Sequence, residues 1–311
     1  MRIVFMGSGP LACPALASLL EAPDHQVPLV VTQPDRPSGR RLHLAACPVR
    51  KLAVGRGIPV LSPEKVGAPD VVARLKALSP DLIVVADFGQ FLTASVLAIP
   101  GRGTVNIHPS LLPRYRGAAP VQWAIANGDT ATGVTILYVT EKMDAGDIIL
   151  QEKVPIREDA TCESLTPLLA HLGAALLLRA LRAIEAGAAP RIPQDEAAVI
   201  LAPKLKKEDG RVDWEMPAEA IRNRVRGFQP WPGCFCEVPE GSGHHVKILK
   251  ARVESAAGHV GHALEWSGDG PLIACGDQSL RLLELQPEGK KPMSASAYVN
   301  GHKLRVGDRL G

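Results

Sequence analysis

The chain has 311 residues, of which 46% are hydrophobic and 22% are charged, and its formal net charge at pH 7 is +3. This balance is ordinary for a globular protein of one or two domains, and it excludes a polycation that binds by charge alone. The leucine-rich stretch at residues 166–178 carries no Asp, Glu, Lys or Arg, and its 13 residues are too few to span a bilayer. Because an apolar strand pattern begins at Arg2, we expect no signal peptide and a cytoplasmic protein without membrane contact.

The six cysteines include no Cys-x-x-Cys pair, so they are typical of reduced packing residues in a reducing compartment. Cys234 and Cys236 precede His244 and His245, an order that would also allow a metal site. Residues i and i+2 share one face of any packed strand, so this spacing carries little information about a ligand. The sequence therefore predicts no metal.

The first half of the chain alternates short apolar runs with helical patterns. The runs predict buried strands at residues 3–6, 27–32, 82–86 and 104–107. Helices are predicted between them, for example over residues 10–20 and 70–78. Strand–helix alternation of this kind is typical of parallel βαβ units. We therefore expect an α/β fold with a doubly wound, mostly parallel sheet of the Rossmann-like kind.

The loop Gly7-Ser8-Gly9-Pro10 joins the first strand to the first helix, where dinucleotide-binding proteins carry a glycine-rich turn. It lacks the third glycine of that fingerprint, and Pro10 replaces a backbone donor. The loop therefore favours a plain tight turn over a cofactor site.

A long amphipathic helix is predicted between residues 159 and 187, with Thr161 as its N-cap and Gly187 at its end. A leucine stripe on it indicates core packing: Leu165, Leu168, Leu169, Leu172 and Leu176. Prolines then interrupt regular structure. After a helix near residues 217–226, alternating runs at 246–251, 272–275 and 280–285 predict a small β-rich domain. The predicted division is residues 1–189, a linker at 190–207, and residues 208–311.

A carboxamide, an imidazole and a hydroxyl follow one another at the end of a predicted strand, in residues 106–110. Asn106 and His108 are two residues apart, so their side chains point to the same side of an extended segment. Pro109 and Pro113 forbid a helix and hold the residues between them as a loop. An amide donor beside an imidazole suits acyl-type chemistry, in which one group holds an oxyanion and the other moves protons.

An acidic partner for this pair is predicted at Asp144, in the segment Met-Asp-Ala-Gly-Asp at 143–147. Apolar runs at 134–139 and 148–150 flank it, which places it on a loop beside strands. Taken singly, each of these residues is more typical of a satisfied strand end or of a turn. Only together do they indicate a site.

The combined pattern is Asn-x-His-x-Ser-Leu-Leu-Pro-x-x-Arg-Gly at 106–117, followed by Asp-x-Gly-Asp at 144–147. It resembles the formyltransferases that depend on 10-formyltetrahydrofolate. Enzymes that formylate glycinamide ribonucleotide share this core, so it specifies the chemistry alone. Other segments resemble the branch of the family that formylates methionyl initiator tRNA: 32–37, 202–205, 212–214, 226–232 and 289–294. They follow the family's order along essentially the whole chain.

The resemblance implies that Asn106 and a protonated His108 polarise the formyl oxygen and stabilise a tetrahedral intermediate. It implies that Asp144 orients and charge-stabilises His108 and assists removal of a proton from the amine. The formyl donor would be 10-formyltetrahydrofolate, and no metal would be required. Its binding site would be lined by Ser110, Leu111, Leu112 and Pro113. The C-terminal domain would be a small OB-like β-barrel, a shape often used on nucleic acid.

Residues 33–51 interrupt the α/β alternation with a long loop rich in basic residues: Arg36, Arg40, Arg41, His43, Arg50 and Lys51. Loops longer than about 12–15 residues tend to be functional, although a solvated basic surface would explain the charge equally well. By the resemblance, the insertion contacts the acceptor end of initiator tRNA through Arg36, Arg40 and Arg41. A second cluster, which suits phosphate contacts, consists of Lys204, Lys206 and Lys207.

Three other functions stay open at this point. A formyltransferase acting on a small amine, such as a nucleotide or sugar nucleotide, would require neither the 33–51 insertion nor the C-terminal domain. An NAD-dependent Rossmann oxidoreductase is disfavoured by the degraded glycine motif. A non-enzymatic RNA-binding protein would have no use for Asn106, His108 and Asp144 together.

Overall fold

The computed structural model of the chain describes residues 1–38, 43–302 and 305–311. The strands in the first part of the chain are β1 (Arg2–Gly7), β2 (Gln26–Val31), β3 (Arg36–Ser38), β4 (His43–Ala45), β5 (Val60–Leu61), β6 (Leu82–Ala86), β7 (Thr104–His108), β8 (Arg116–Gly117), β9 (Ala131–Tyr138), β10 (Ile148–Pro155) and β11 (Leu201–Ala202). The strands that follow are β12 (Cys234–Glu237), β13 (His245–Glu254), β14 (Ala263–Ser267), β15 (Gly270–Ala274), β16 (Ser279–Pro287) and β17 (Met293–Ser294). The helices are α1 (Cys13–Glu21), α2 (Pro48–Gly55), α3 (Pro69–Ala77), α4 (Ala94–Leu97), α5 (Pro120–Ala126), α6 (Cys162–Glu185), α7 (Ala218–Gly227) and α8 (Ala295–His302).

A seven-stranded sheet in the order β10-β9-β7-β6-β1-β2-β5 forms the centre of the first of two compact units. Parallel pairs join β1 to β2 and β6, β2 to β5, and β6 to β7, whereas β7 and β9 pair antiparallel. Strands buried on both faces carry continuous apolar runs, as β1 and β6 do. The predicted α/β fold with a mostly parallel sheet is confirmed. Because β1, β6 and β7 run in parallel, the loops that follow them leave the same edge of the sheet.

The long helix α6 packs against this sheet. Ser164 donates its backbone N–H to Thr161 Oγ1 at 3.2 Å, and Gly187 beyond the helix has a φ of +67°. A Cβ on Gly173 would lie 2.8 Å from the Ile107 side chain, so this glycine lets the helix approach β7 closely. By length and composition α6 could cross a membrane, but half of its most apolar window is buried inside the protein, as in a core helix. Most of the predicted leucine stripe is covered, although Leu168 is 52% exposed.

The described parts of the basic segment at 33–51 contain regular structure that the sequence did not predict. Strands β3 and β4 pair antiparallel, and α2 begins at Pro48. The Cys47 side chain caps α2 by accepting the Arg50 backbone N–H at 3.4 Å. Strands of three residues are too short to give a readable alternation, which is why the segment looked like a continuous loop.

The second unit consists of residues 118–131, 156–165 and 203–311. Its sheet has the order β12-β13-β16-β15-β14, with β17 on β16, and all of its pairings are antiparallel. The C-terminal tail joins the two edges of this sheet. Gly311 donates to the Glu237 carbonyl beside β12 at 3.1 Å, and Leu310 donates to the Gly261 carbonyl beside β14 at 2.9 Å. These bonds give the sheet the closure expected of the predicted small barrel.

Helix α5 belongs to this second unit, although it follows β8 directly along the chain. Trp123 on α5 meets the Phe228 ring edge-on at a centroid distance of 5.4 Å, and its indole N–H donates to the Pro203 carbonyl at 2.9 Å. A Cβ on Gly227 would lie 2.7 Å from the Gln122 carbonyl oxygen, so α5 and α7 touch through their backbones. The units therefore interleave along the chain, and the domain borders after residues 189 and 207 stay a prediction.

Candidate active site

Asn106 and His108 lie at the carboxyl end of β7, on alternate positions of the strand. His108 is almost completely buried and Asn106 is half-buried. Strand β9 holds this end of β7 from the side, with Thr135 paired opposite His108. The spacing of two residues in an extended strand therefore places both side chains on one side of the sheet, as the sequence predicted.

Asp144 joins them from the loop between β9 and β10. Its Oδ1 accepts a hydrogen bond from Asn106 Nδ2 at 3.4 Å, and its Oδ2 lies 3.7 Å from His108 Nδ1. The Gly117 backbone N–H also donates to Oδ2, at 3.0 Å. The structure thus brings the three predicted catalytic side chains together. Asn106 and His108 both face the Asp144 carboxylate, which also accepts a backbone hydrogen bond from β8.

The orientation of His108 follows from its second ring nitrogen. Nε2 lies 2.9 Å from the Tyr115 carbonyl oxygen, which can only accept a hydrogen bond. Nε2 therefore carries a proton, and Nδ1 is the nitrogen that faces Asp144. A protonated imidazole in this setting donates Nδ1–H toward the carboxylate, while Tyr115 fixes the plane of the ring.

The loop of Ser110, Leu111, Leu112 and Pro113 is shaped by partners within the same unit. Thr135 Oγ1 donates to the Ser110 carbonyl at 2.7 Å and accepts the Leu112 backbone N–H at 3.2 Å. Gln151 Nε2 donates to the Leu112 carbonyl at 2.7 Å. The Ser110 hydroxyl is directed to the Arg114 carbonyl at 2.6 Å. The loop is therefore held rigidly beside His108, whereas its role in binding folate stays a prediction.

Two residues that contact His108, and one that follows the neighbouring strand β6, have left-handed backbone conformations. Tyr115 and Asp144 have φ angles of 65° and 49°, and Asp87, which follows β6, has 46°. Residues with a side chain adopt this left-handed region at a cost that surrounding contacts must offset, and such residues cluster at functional sites. Here the strained residues supply the carbonyl that orients His108 and the carboxylate that faces it.

The loop at residues 7–10 is a tight turn closed by its neighbour. The backbone N–H groups of Ser8 and Gly9 donate to the Asp87 carbonyl at 3.0 and 3.2 Å. A Cβ on Gly9 would overlap the Asp87 carboxylate. These amides are used within the protein rather than aimed at a phosphate, which agrees with the plain turn predicted from sequence.

The residues predicted to bind tRNA fall in three places. Arg36 begins β3, whereas Arg40 and Arg41 lie outside the described residues. The remaining cluster is exposed, lies in the second unit and leads into a 3₁₀ turn at Lys207–Gly210: Lys204, Lys206 and Lys207. Their contact with RNA stays a prediction.

The cysteine and histidine residues considered for a metal lie on opposite faces of β12 and β13. Cys234 and Cys236 face the core, and burial raises the pKa of each thiol to about 12. His245 lies on the outer face, with its ring 5.5 Å from the Phe235 ring and its Nε2 3.7 Å from Glu237 Oε1. The spacing therefore reflects ordinary strand alternation.

Several residues that shape the site carried no signal in the sequence. Tyr115 and Gly117 act through backbone groups, so their side chains do not reveal them. Thr135 and Gln151 are ordinary strand residues whose partners are distant along the chain. The one sequence signal for Tyr115 and Gly117 was the segment Tyr-Arg-Gly at 115–117, which ends the family motif.

Two family models match the chain: "Formyl transferase" over residues 1–181 and "Formyl transferase, C-terminal domain" over residues 204–303. A methionyl-tRNA formyltransferase of Geobacter metallireducens is 45% identical over 311 residues, which is 100% of this chain and 99% of that protein. One from Moorella thermoacetica is 45% identical over 313 residues and covers the same shares of both chains. Similarity at this level extends through both units.

Solved structures with lower identity share the fold. HypX from Aquifex aeolicus in complex with tetrahydrofolic acid superposes with a TM-score of 0.61 at 22% identity, covering 99% of this chain and 48% of that one. The sugar 3N-formyl transferase WlaRD gives a TM-score of 0.66 at 17% identity, covering 94% and 99%. The full-length similarity to the first group of relatives is what decides the assignment. The chain belongs to the formyl transferase family and, within it, to the methionyl-tRNA formyltransferases.

Proposed function

We propose that the protein transfers the formyl group of 10-formyltetrahydrofolate to the α-amine of methionine on initiator tRNA. The observation that carries this proposal is the Asp144 carboxylate, which faces both the Asn106 amide and the His108 imidazole beside the rigid loop at 110–113. Membership of the methionyl-tRNA formyltransferases, over the full length of the chain, supports the choice of acceptor.

Asn106 and His108 stabilise the charge that develops on the formyl oxygen. An amide nitrogen carries two N–H groups, so Asn106 can keep one toward Asp144 and donate the other to the substrate. The Nδ1 edge of His108 faces the same carboxylate, and in its protonated form it places a positive charge beside the developing oxyanion. Donors that are held in place before the reaction need no reorganisation when the charge appears.

The transfer exchanges one carbon–nitrogen bond for another. The α-amine attacks the formyl carbon and forms the new bond, and the tetrahedral intermediate then breaks its bond to N10 of the folate. The amine loses a proton and N10 gains one, so the reaction consumes no oxidant or reductant. Asp144, with His108 beside it, is the group able to take the proton from the amine, directly or through water.

The folate and the tRNA use different parts of the chain in this proposal. The loop at 110–113 is placed to line the folate, with the partly exposed side chains of Leu111 and Pro113 suited to the face of a flat pterin. Exposed lysines in the second unit suit phosphates of the tRNA, and the basic residues Arg36, Arg40 and Arg41 suit its acceptor end. Phosphate contacts of this kind position the RNA without reading its sequence.

The direct test is transfer of labelled formyl from 10-formyltetrahydrofolate to methionyl initiator tRNA by the purified protein. We expect rapid transfer to that acceptor and much slower transfer to elongator methionyl-tRNA. Glycinamide ribonucleotide and an amino-sugar nucleotide serve as small-amine controls. Faster transfer to a small amine than to the initiator tRNA would overturn the proposed acceptor while leaving formyl transfer in place.

The RNA contacts are tested by replacing Lys204, Lys206 and Lys207 together with alanine. We expect a higher KM for tRNA, an unchanged KM for the formyl donor, and a flatter salt dependence of tRNA binding. Each lost phosphate contact should lower the slope of log K against log salt by roughly 0.7–0.9. The matched control replaces three exposed lysines of the first unit: Lys65, Lys76 and Lys153.

The double variant Arg40→Ala with Arg41→Ala forms a second arm of the same test. Replacing these arginines with lysine should restore tRNA binding only partly, because lysine lacks the forked guanidinium that binds phosphate through two hydrogen bonds. If both sets leave the salt slope and the tRNA kinetics unchanged, these residues belong to a solvated surface.

A further inference from the structure

Arg116, on β8, carries a buried charge that contacts the segment at residues 194–196. Its side chain is only 8% exposed, yet its guanidinium has two acidic contacts and one neutral contact. Nη1 and Nη2 donate to the two carboxylate oxygens of Glu196 at 3.1 and 2.9 Å, and Nε donates to Gln194 Oε1 at 2.9 Å. A forked pair of this kind fixes both the position and the plane of the guanidinium.

Gln194 connects the fixed guanidinium of Arg116 to the loop that carries Asp144. Its Nε2 donates to the Asp144 carbonyl at 2.8 Å and to the Gly146 carbonyl at 2.8 Å. Because Oε1 accepts from Arg116, both N–H groups and the oxygen of this amide are engaged, and the amide has one orientation only. One side chain thus grips the loop at two carbonyls on either side of Ala145.

Asp144 needs such support because its backbone is strained, with a φ of 49°. Its carboxylate is held from β8 as well, since Gly117, the residue after Arg116, donates its backbone N–H to Oδ2 at 3.0 Å. The backbone and the carboxylate of Asp144 are therefore both fixed from β8, one through Gln194 and the other through Gly117. A strained residue held in this way keeps its geometry only while both supports are present.

We propose that Gln194 is a positioning residue of the formyl transfer, which holds Asp144 in its reactive conformation through a chain of contacts that runs from Glu196 through Arg116. The inference rests on the proposed function, because it concerns the rate of that reaction. Gln194 itself need touch neither substrate. Misplacing a reacting group by about 1 Å can cost about 10²-fold in rate, so the effect should appear in kcat.

The experiment compares Gln194→Met and Glu196→Gln with wild type in the formyl transfer assay. Methionine keeps the length of the side chain and removes both N–H donors. We expect kcat to fall by about 10- to 100-fold for Gln194→Met, with the KM of each substrate unchanged within about 2-fold. Glu196→Gln removes only the distal charge and should lower kcat by about 2- to 5-fold. The matched control is Gln286→Met, which removes an amide donor to the Lys290 carbonyl in the second unit and should change nothing.

A double variant separates positioning from a merely structural role. If Gln194 acts only through Asp144, Gln194→Met should cost less than about 2-fold more when Asp144→Asn is already present. Multiplying losses in the double variant would overturn the inference, and so would full kcat in folded Gln194→Met. Should Gln194→Met fail to fold, Glu196→Gln decides, because this side chain is 73% exposed and glutamine keeps its shape and can still accept from Arg116, so we expect a folded protein.

The proposed function and the positioning role of Gln194 are overturned by different results. A wild-type protein that transfers formyl to no acceptor overturns the proposed function together with this inference. An active wild type whose Gln194 and Glu196 variants are equally active overturns the positioning role alone.

Discussion

Two carboxylates, Asp144 in the first unit and Glu254 in the second, show the same chemical group held for different purposes. Glu254 accepts short hydrogen bonds from Arg252 Nη2 at 2.7 Å and Arg281 Nη2 at 2.8 Å, with further bonds from the Nε of both arginines at 3.2 and 3.1 Å. These hydrogen bonds lower the pKa of Glu254 to about 2. Its capacity as an acceptor is saturated.

Asp144 is held by neutral donors, the Gly117 N–H at Oδ2 (3.0 Å) and the Gln194 amide at its backbone carbonyl. Its contacts to Asn106 and His108 are long, at 3.4 and 3.7 Å, while Gln194 grips its carbonyl at 2.8 Å. A carboxylate arranged in this way stays in place and can still take up a new partner. Short ion pairs thus stabilise strands through Glu254, whereas Asp144, the proposed reacting acid, is positioned by neutral donors and has no arginine or lysine contact at this distance among the ion pairs described.

The largest effect should come from Asp144→Asn. This change keeps the shape of the side chain and removes its charge and its basicity, so turnover should fall by about 10²–10³-fold or more while the fold persists. Asn106→Ala and His108→Ala should lose similar factors, measured as kcat in the formyl transfer assay. Glu254→Gln is the contrasting control and should leave kcat unchanged. Near-normal turnover in folded His108→Ala would show that Asn106, His108 and Asp144 are not the catalytic site.

The sequence was sufficient for the pair on β7, because strand alternation places residues two apart on one side. Asp144 was predicted as an acidic partner from its place on a loop beside strands, and the family motif then connected it to the pair, since no local rule links residues so far apart. Gln194 was not found at all: glutamine in a proline-interrupted segment gives no signal of the loop that it holds. The strand bounds were predicted within a few residues where apolar runs were long, as for β6. The pairing of β3 with β4 was missed because both strands are short and one of them contains proline.

The sequence also did not predict which segments belong to which unit, again because the deciding contacts are distant along the chain. Helix α5 follows the motif loop directly, so its place along the chain indicates the first unit. Its packing is decided by Trp123 against Phe228 and by the small Gly227, which lie about a hundred residues apart. Contacts of that kind depend on tertiary structure and leave no periodicity to read.

An intermediate effect should come from Thr135→Val, which tests whether the loop at 110–113 serves the folate. Valine has nearly the same shape, but it leaves the Ser110 carbonyl without its donor and the Leu112 N–H without its acceptor. Each buried polar group left unsatisfied costs about 1–3 kcal/mol. We expect the KM for 10-formyltetrahydrofolate to rise about tenfold, with the KM for tRNA nearly constant. Thr135→Ser, which retains the hydroxyl, is the matched control. An unchanged donor KM in Thr135→Val would separate this loop from the folate site.

The smallest effect is expected for Glu254→Gln, and it is confined to stability. The pKa of Glu254 in the folded protein is about 2, below its ordinary value of 4.5, so the charged form is favoured by folding. Its stabilising contribution is therefore complete above about pH 4.5 and is lost as the pH falls toward 2. Because the side chain is partly exposed, solvent screening reduces the contribution to about 1–2 kcal/mol. Denaturant titrations at a series of pH values should show that deficit in Glu254→Gln at pH 7. The difference from wild type should shrink between pH 4.5 and 2.

The matched control for this last prediction is Glu152→Gln, whose partner Arg179 forms a single exposed ion pair at 2.7 Å. It should cost less than about 0.5 kcal/mol, because pairs of that kind contribute little in water. Arg281 gives the reason for the contrast: its side chain is almost completely buried, and Glu254→Gln removes the charged carboxylate that lies 2.8 Å from its Nη2. A deficit in Glu254→Gln that did not change with pH would mean that shape, and not charge, makes this carboxylate stabilising. The comparison with Asp144 would then rest on the activity data alone.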